Sequence, residues 1–163
     1  MHIYLDMNIY NRVFDDQSQL RIKFETMAID IIFELIEKGQ YELCWSFMLE
    51  DENNKNPFSY RRDSIKTISE ICKINIVPND EILNIAKLII ANSNTQSKDA
   101  LHLACAVYYK CNYFITCDDK FIKTVIKNIS NLENIIGKIK LMNPIDLARG
   151  EMSIDVIEWK EQI

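Results

Sequence analysis

Glycine and proline are scarce, with 3 of each in 163 residues. Tight hairpin turns draw on Gly, Asn and Pro, so the shortage argues against an all-β fold and favours helix-rich α/β. It also leaves no G-x-G-x-x-G fingerprint and no G-x-x-x-x-G-K-[ST] loop, which removes the usual backbone cradles for dinucleotides and P-loop nucleotides. Histidine is confined to His2 and His102, and the 5 cysteines (Cys44, Cys72, Cys105, Cys111, Cys117) form no C-x-x-C pair. A Cys/His zinc site is therefore not expected. Most of the cysteines sit in apolar runs and read as small buried hydrophobes of a reducing compartment, with a structural disulfide as the lesser alternative. The chain opens on a strand-like run rather than a basic leader and apolar core, and no apolar run approaches the ~20 residues of a membrane helix. No membrane association is expected, and the cytoplasm is the expected location. A net charge of −5 means that the chain as a whole does not attract nucleic acid, although a local basic face or a bound metal ion can.

What is present is a hydrophobic content of 48% and a charged content of 26%, the profile of one ordinary globular domain with a core. Residues 1–150 are expected to form that domain and 151–163 a helical tail. Short apolar runs at 2–5, 41–45, 74–77, 113–117 and 139–142 read as strands. Between them lie helical rhythms at 8–14, 22–38, 58–72, 80–91, 98–110 and 119–127, with a further helix starting after Ser46 as N-cap and carrying Met48, Leu49 and Glu50. Strands alternating with helices predict a mostly parallel sheet covered on both faces.

The acids punctuate this pattern. Asp6 closes the first strand and Asp118 the fourth, at the strand ends where sites form in open parallel sheets. Each reads equally well as a turn or N-cap acid, since acids favour helix N-termini. Asp99 stands in the first turn of a helix that is apolar almost all round. Glu50 lies one helical turn after Ser46 but belongs to the acidic run Glu50-Asp51-Glu52, for which a solvated face is the usual reading. His102, three residues after Asp99, is more simply a satisfied core histidine. Lys55, Arg61, Arg62 and Lys66 form either a basic strip for phosphates or an ordinary solvated face. If the acids meet, mutual repulsion calls for a cation, and oxygen-only ligands suit Mg²⁺ or Mn²⁺.

The segments I-Y-L-D-M-N-I-Y-N-R-V-F (3–14), S-F-M-L-E (46–50), K-D-A-L-H-L-A-C-A (98–106) and F-I-T-C-D-D-K-F (114–121) resemble the PIN domain family, the nuclease module of VapC-type toxin ribonucleases. The resemblance runs to about Asp146. It implies a three-layer α/β/α fold with a five-stranded sheet in the order 3-2-1-4-5. It also implies metal-dependent cleavage of RNA with Mg²⁺ or Mn²⁺ as cofactor. Carried over by residue, the metal-binding and catalytic acids fall on Asp6, Glu50, Asp99 and Asp118, with Asn8, Ser46 and Thr116 as supporting polar groups. Lys55, Arg61, Arg62, Lys98 and Lys120 are candidates for contacts to the RNA backbone. An antitoxin protein and a second copy of the chain are the expected partners, and a non-cleaving RNA-binding or scaffold protein on the same fold is the alternative. Phosphoryl-transfer domains of the haloacid dehalogenase kind also place Asp after a first strand, but they need a second Asp where Asn8 stands. Response-regulator domains need paired early acids, and only Asp6 is available.

Overall fold

The computed structural model describes residues 1–151; the expected tail at 151–163 lies outside the described residues except for Glu151. In chain order the elements are β1 (His2–Leu5), α1 (Met7–Arg12), α2 (Leu20–Glu37), β2 (Glu42–Ser46), α3 (Phe47–Asn54), α4 (Ser59–Ser69), β3 (Ile74–Ile76), α5 (Asp80–Ser93), α6 (Ser97–Tyr108), β4 (Tyr113–Ile115), α7 (Asp119–Lys127), α8 (Ile129–Ile136) and β5 (Lys140–Met142). Residues 144–151 are helical as well. Helix α8 lies in a stretch where no element was expected. Its Leu132 and Ile136, a helical turn apart, are buried.

The sheet has five strands in the order β3-β2-β1-β4-β5, and every pairing is parallel. Helices cover both faces, giving the three-layer α/β/α arrangement expected. Central strand β1 is buried on both sides: Ile3, Tyr4 and Leu5 are fully covered, as a continuous apolar strand between helical layers must be. Helix α6 carries Ala100, Leu103, Ala104, Cys105 and Ala106 in the core. Its small side chains let it sit close to α5, with which it packs. All five cysteines are free, and Cys44 Sγ meets Cys111 Sγ at 3.5 Å inside the core. No helix among the described residues is long and apolar enough to cross a membrane.

This strand order places the functional question. From β1 the chain proceeds outward to β2 and β3, then returns across the sheet to β4 and β5. The direction of travel reverses between β1 and β4, and at such a switch point the loops leaving the strands diverge and open a crevice. The register pairs Leu5 with Ile115. Asp6 and Thr116, one residue further on, are thereby brought side by side.

Candidate active site

Asp6 leaves β1 and caps α1. Its Oδ1 accepts from Met7 N at 2.8 Å, while Oδ2 accepts from Thr116 Oγ1 at 2.8 Å and from Asn8 Nδ2 at 3.3 Å. Thr116 is saturated in turn, accepting from Asn8 Nδ2 at 3.0 Å and from Asp118 N at 3.1 Å. Asn8 Oδ1 accepts from Cys117 N at 3.0 Å. Asn8 and Thr116 thus lock the two strand ends together and fix the rotamer of a carboxylate that is only 7% exposed. Burial raises the Asp6 pKa; the charge of His102 and the hydrogen bonds from Thr116 and Met7 pull against that rise, and Glu52 adds to it.

Asp118 caps α7, its Oδ1 accepting from Phe121 N at 3.1 Å. The capping roles open to Asp6 and Asp118 are both real, but each cap occupies one carboxylate oxygen and leaves capacity on the other. Asp99, in the first turn of α6, has no hydrogen bond or ion pair to any described residue. Its pKa is pushed up to about 6, first by burial and then by the charges of Asp6 and Asp118, with Glu52 adding and His102 opposing. Asp99 and Asp118 both line a small cleft of about 150 Å³ with Gln96, Lys120 and Thr124.

The structure corrects the place of the fourth acid. Glu50 does not join the others: its Oε2 accepts from Trp45 Nε1 at 2.9 Å, and it faces a depression shared with Phe47, Cys72 and Asn75 near edge strand β3. Glu52, two residues on, is the acid of α3 whose charge acts on Asp6 and Asp99. Two residues along a helix is a turn of about 200°, so Glu50 and Glu52 point to opposite sides of α3. Leu49 is fully buried in α3, and Glu52 lies three residues after it, at same-face helical spacing.

Glu52 is held by the histidine that the sequence left as a core residue. His102, 1% exposed, hydrogen-bonds through Nε2 to Glu52 Oε1, and Lys98 Nζ lies 3.5 Å from the same oxygen. On its other side His102 Nδ1 meets the Tyr4 hydroxyl at 2.7 Å, and that hydroxyl meets Ser46 Oγ at 2.6 Å. Burial holds the Tyr4 pKa well above its ordinary value, so the phenol keeps its proton to donate. Ser46, Tyr4, His102 and Glu52 thus form one continuous chain of hydrogen bonds. Burial raises the Glu52 pKa, but the hydrogen bond and charge of His102, with help from Lys98, outweigh it and the net shift is downward. Ser46 ends this chain and also caps α3, its Oγ accepting from Leu49 N at 3.3 Å.

The basic candidates divide. Lys55, Arg61 and Lys98 line a groove that also contains Glu52. Lys120 lines the cleft of Asp99 and Asp118. Arg62 turns into its own loop instead, donating to the Asn56 carbonyl at 2.8 Å. Among the described residues no three His, Cys, Asp or Glu side chains stand close enough together, as placed, to hold a metal ion. The donor chemistry of the cluster nevertheless fits a hard divalent cation. The groups of Asp6, Glu52, Asp99 and Asp118 are all carboxylates, and Asp99, raised by the charges of the other three, forms no ion pair with a described residue.

An α/β domain with carboxylates gathered at the β1/β4 switch point defines the class. The sequence matches the PIN domain family over residues 3–127, and the chain belongs to that family. No curated protein sequence matches it. Among solved structures it resembles VapBC2 from Rickettsia felis bound to a DNA fragment from its promoter, at TM-score 0.58 and 15% identity, covering 88% of this chain and 98% of that one. It also resembles FitAcB from Neisseria gonorrhoeae, at TM-score 0.55 and 12% identity, covering 87% and 97% respectively. At these identities the likeness is one of fold.

Proposed function

We propose that this PIN domain is a metal-dependent endoribonuclease, with Asp6, Glu52, Asp99 and Asp118 holding Mg²⁺ or Mn²⁺ and RNA as the substrate. The observation that carries the reading is Asp99. It is a partly buried carboxylate that feels Asp6, Asp118 and Glu52, with the charge of His102 opposing, and no ion pair reaches it among the described residues. A protein that places like charges together without a cation pays in stability, and a divalent ion relieves that repulsion. When bound, the ion supplies Lewis acidity to activate a water and to offset charge on the phosphate. The chain's own groups hold the carboxylates ready: Thr116 and Asn8 fix Asp6, and His102 fixes Glu52. Lys98 and Lys120 flank the acids and favour approach of a phosphate.

In this reading the protein is the toxin of a toxin–antitoxin pair, with an antitoxin protein as partner and self-association into a homodimer as a further expectation. The likeness to the VapBC2 and FitAcB structures supports the toxin assignment. The test is cleavage of total RNA with Mg²⁺ or Mn²⁺, in parallel with EDTA and with Asp6→Asn. Wild type is expected to cut, and both controls to lose at least about 10³-fold in rate with the unfolding transition retained. Undiminished cleavage in EDTA and in Asp6→Asn sinks the proposal. Metal-independent RNA binding without cleavage points instead to the non-cleaving RNA-binding or scaffold reading.

A further inference from the structure

Among the 5 cysteines of the chain, all of them free, Cys44 and Cys111 stand out because their sulfurs touch. The end of α6 arranges this. Lys110 takes the left-handed conformation, with φ at +57°. Its N–H donates to the Val107 carbonyl at 3.0 Å, while the Cys111 N–H donates to that of Ala106 at 2.9 Å. Such a pair of bonds closes a helix C-terminus and turns the chain sharply back. The turn is held again one residue on, where Asn112 N donates to the His2 carbonyl at 2.9 Å. Cys111 is thereby driven inward, leaving it 4% exposed, against Cys44 of β2, which is fully buried. The two sulfurs lie 3.5 Å apart. One thiol is held by a strand and the other by a bonded turn, so neither is free to drift from its partner.

A buried cysteine is ordinarily a small hydrophobe and inert. This pair differs in its access. Cys111 forms part of the wall of a pocket of about 300 Å³, at the end of the sheet where β4 and β5 begin and opposite the end that carries the acids. A water molecule takes about 30 Å³ in the liquid, so a small polar oxidant has room beside the sulfur. The charged side chains of the pocket are Lys110 and Lys138, with no acid among its lining residues. Cations at a sulfur favour its anionic, reactive form. The hydrogen bond with Cys44 and burial nevertheless hold the Cys111 thiol well above its ordinary pKa. The pair is therefore slow to react, and a slow dithiol answers sustained oxidant rather than everyday thiol exchange.

We propose that Cys111 and Cys44 are an oxidation site for a small peroxide, closing into a disulfide within the folded protein. The Cys111 sulfur gives up its proton and attacks one peroxide oxygen. The O–O bond breaks, and the departing hydroxide takes that proton as water, leaving a sulfenic acid. The Cys44 sulfur then attacks the Cys111 sulfur. The S–S bond forms, the S–O bond breaks, and the hydroxyl leaves with the Cys44 proton as a second water. Two thiols are oxidised, and one peroxide is reduced to two waters. Proximity carries the second step: from 3.5 Å the sulfurs close by about 1.5 Å to bond, a distance that side-chain rotation supplies. The bond ties β2 to the turn between α6 and β4, enclosing residues 44–111, the stretch that carries Glu52, Asp99 and His102. Fastening so long a loop constrains the unfolded chain and stabilises the folded one. The site is independent of the nuclease reading.

The test treats the full chain, reduced and freed of reductant, with hydrogen peroxide in native buffer, followed by an acid quench and a non-reducing peptide map. The expected result is the loss of two hydrogens from the intact mass, a peptide joining Cys44 to Cys111, and a Tm raised by roughly 5–10 °C. Dithiothreitol is expected to reverse all three. Cys44→Ala is expected to stop at the sulfenic acid, trapped by dimedone on Cys111, and Cys111→Ala to leave Cys44 reduced. Cys72→Ala and Cys117→Ala are expected to form the bond as wild type does. The wild-type map decides alone where an alanine variant fails to fold. No bond in the native chain, a bond joining other cysteines, or one that forms only in urea overturns the proposal. So does a bond that lowers the Tm, since it closes only by distorting the fold. Dimedone found on Cys44 in Cys111→Ala overturns the order of attack.

Discussion

Two assemblies of acidic side chains lie near the ends of this sheet, and they are built on opposite plans. Around Glu25, on α2, the charge is answered. Its carboxylate is fully buried, and Oε1 lies 3.4 Å from Arg12 Nη2 and 3.5 Å from Arg21 Nε. Oε2 accepts from Asn143 Nδ2 at 2.7 Å. That knot ties α1, α2 and the segment after β5 to one another. At the β1/β4 switch point the charge is answered only in part, by His102 and Lys98 at Glu52. Asp99 sits among like charges, and its neighbours are held in place by neutral donors and by His102. A buried acid matched by arginines is explained by the fold, whereas acids whose charges raise one another's pKa carry the proposal of a bound metal ion.

The comparison can be broken most forcefully at its structural end. Glu25→Ala takes the buried acceptor from Asn143 and leaves Arg12 with Asp15 alone; losing such buried partners is expected to cost about 2–4 kcal/mol, or on the order of 10 °C in Tm. Urea or thermal unfolding reads this, and cleavage per folded molecule is expected to stay within a few-fold of wild type. A variant as stable as wild type, or one that is fully folded and inactive, would place Glu25 with the functional acids.

A smaller effect sharpens the functional end. Glu52→Gln is expected to lower RNA cleavage or Mn²⁺ affinity by about 10- to 100-fold. Glu50→Gln, on the other side of α3, is expected to change either by no more than about twofold. Equal losses, or a larger loss at Glu50, would mean that α3 presents its other face in the working enzyme.

The smallest effect is one of pH. The Asp99 carboxyl has a folded-state pKa of about 6 against an ordinary value of 3.8. A raised acid takes up its proton in the folded chain before it does in the unfolded one. Its stabilising proton is therefore fully present below about 4 and is lost as pH rises through about 6. Metal-free protein should gain stability between pH 7 and pH 5 from this group. Asp99→Asn should flatten that part of the profile, and saturating Mg²⁺ should raise the stability at pH 7. Chemical unfolding in EDTA across this range checks it; an unchanged slope in Asp99→Asn removes Asp99 from the electrostatic cluster.

Much of this was legible along the chain. A buried strand ending in Asp6 needed only a run of apolar residues and the carboxylate that stops it, and the same holds for the stretch leading to Asp118. Asp99 was marked by standing on a helix otherwise apolar. Glu50 and Glu52 were not separable by composition, because adjacent acids look alike until the phase of the helix is set by what packs beneath it. His102 was read as a core residue, and it is buried, yet its ring spans from Tyr4 to Glu52. That dual position joins residues 4, 46, 52 and 102 and has no footprint in local spacing. The basic residues divided for the same reason: Arg62 and Arg61 are neighbours in sequence, but one closes a loop and the other lines the groove.

Alternating apolar runs and amphipathic stretches, with few glycines or prolines, were enough to specify a parallel sheet between helices and to put acids at strand ends, since periodicity and element boundaries are local properties of the chain. Which acids face one another, which are matched by arginine, and which basic side chains line the groove depended on helix phase and on contacts across the fold. Electrostatic repulsion and pairing act through a few ångströms of space, and only the packed molecule sets those distances.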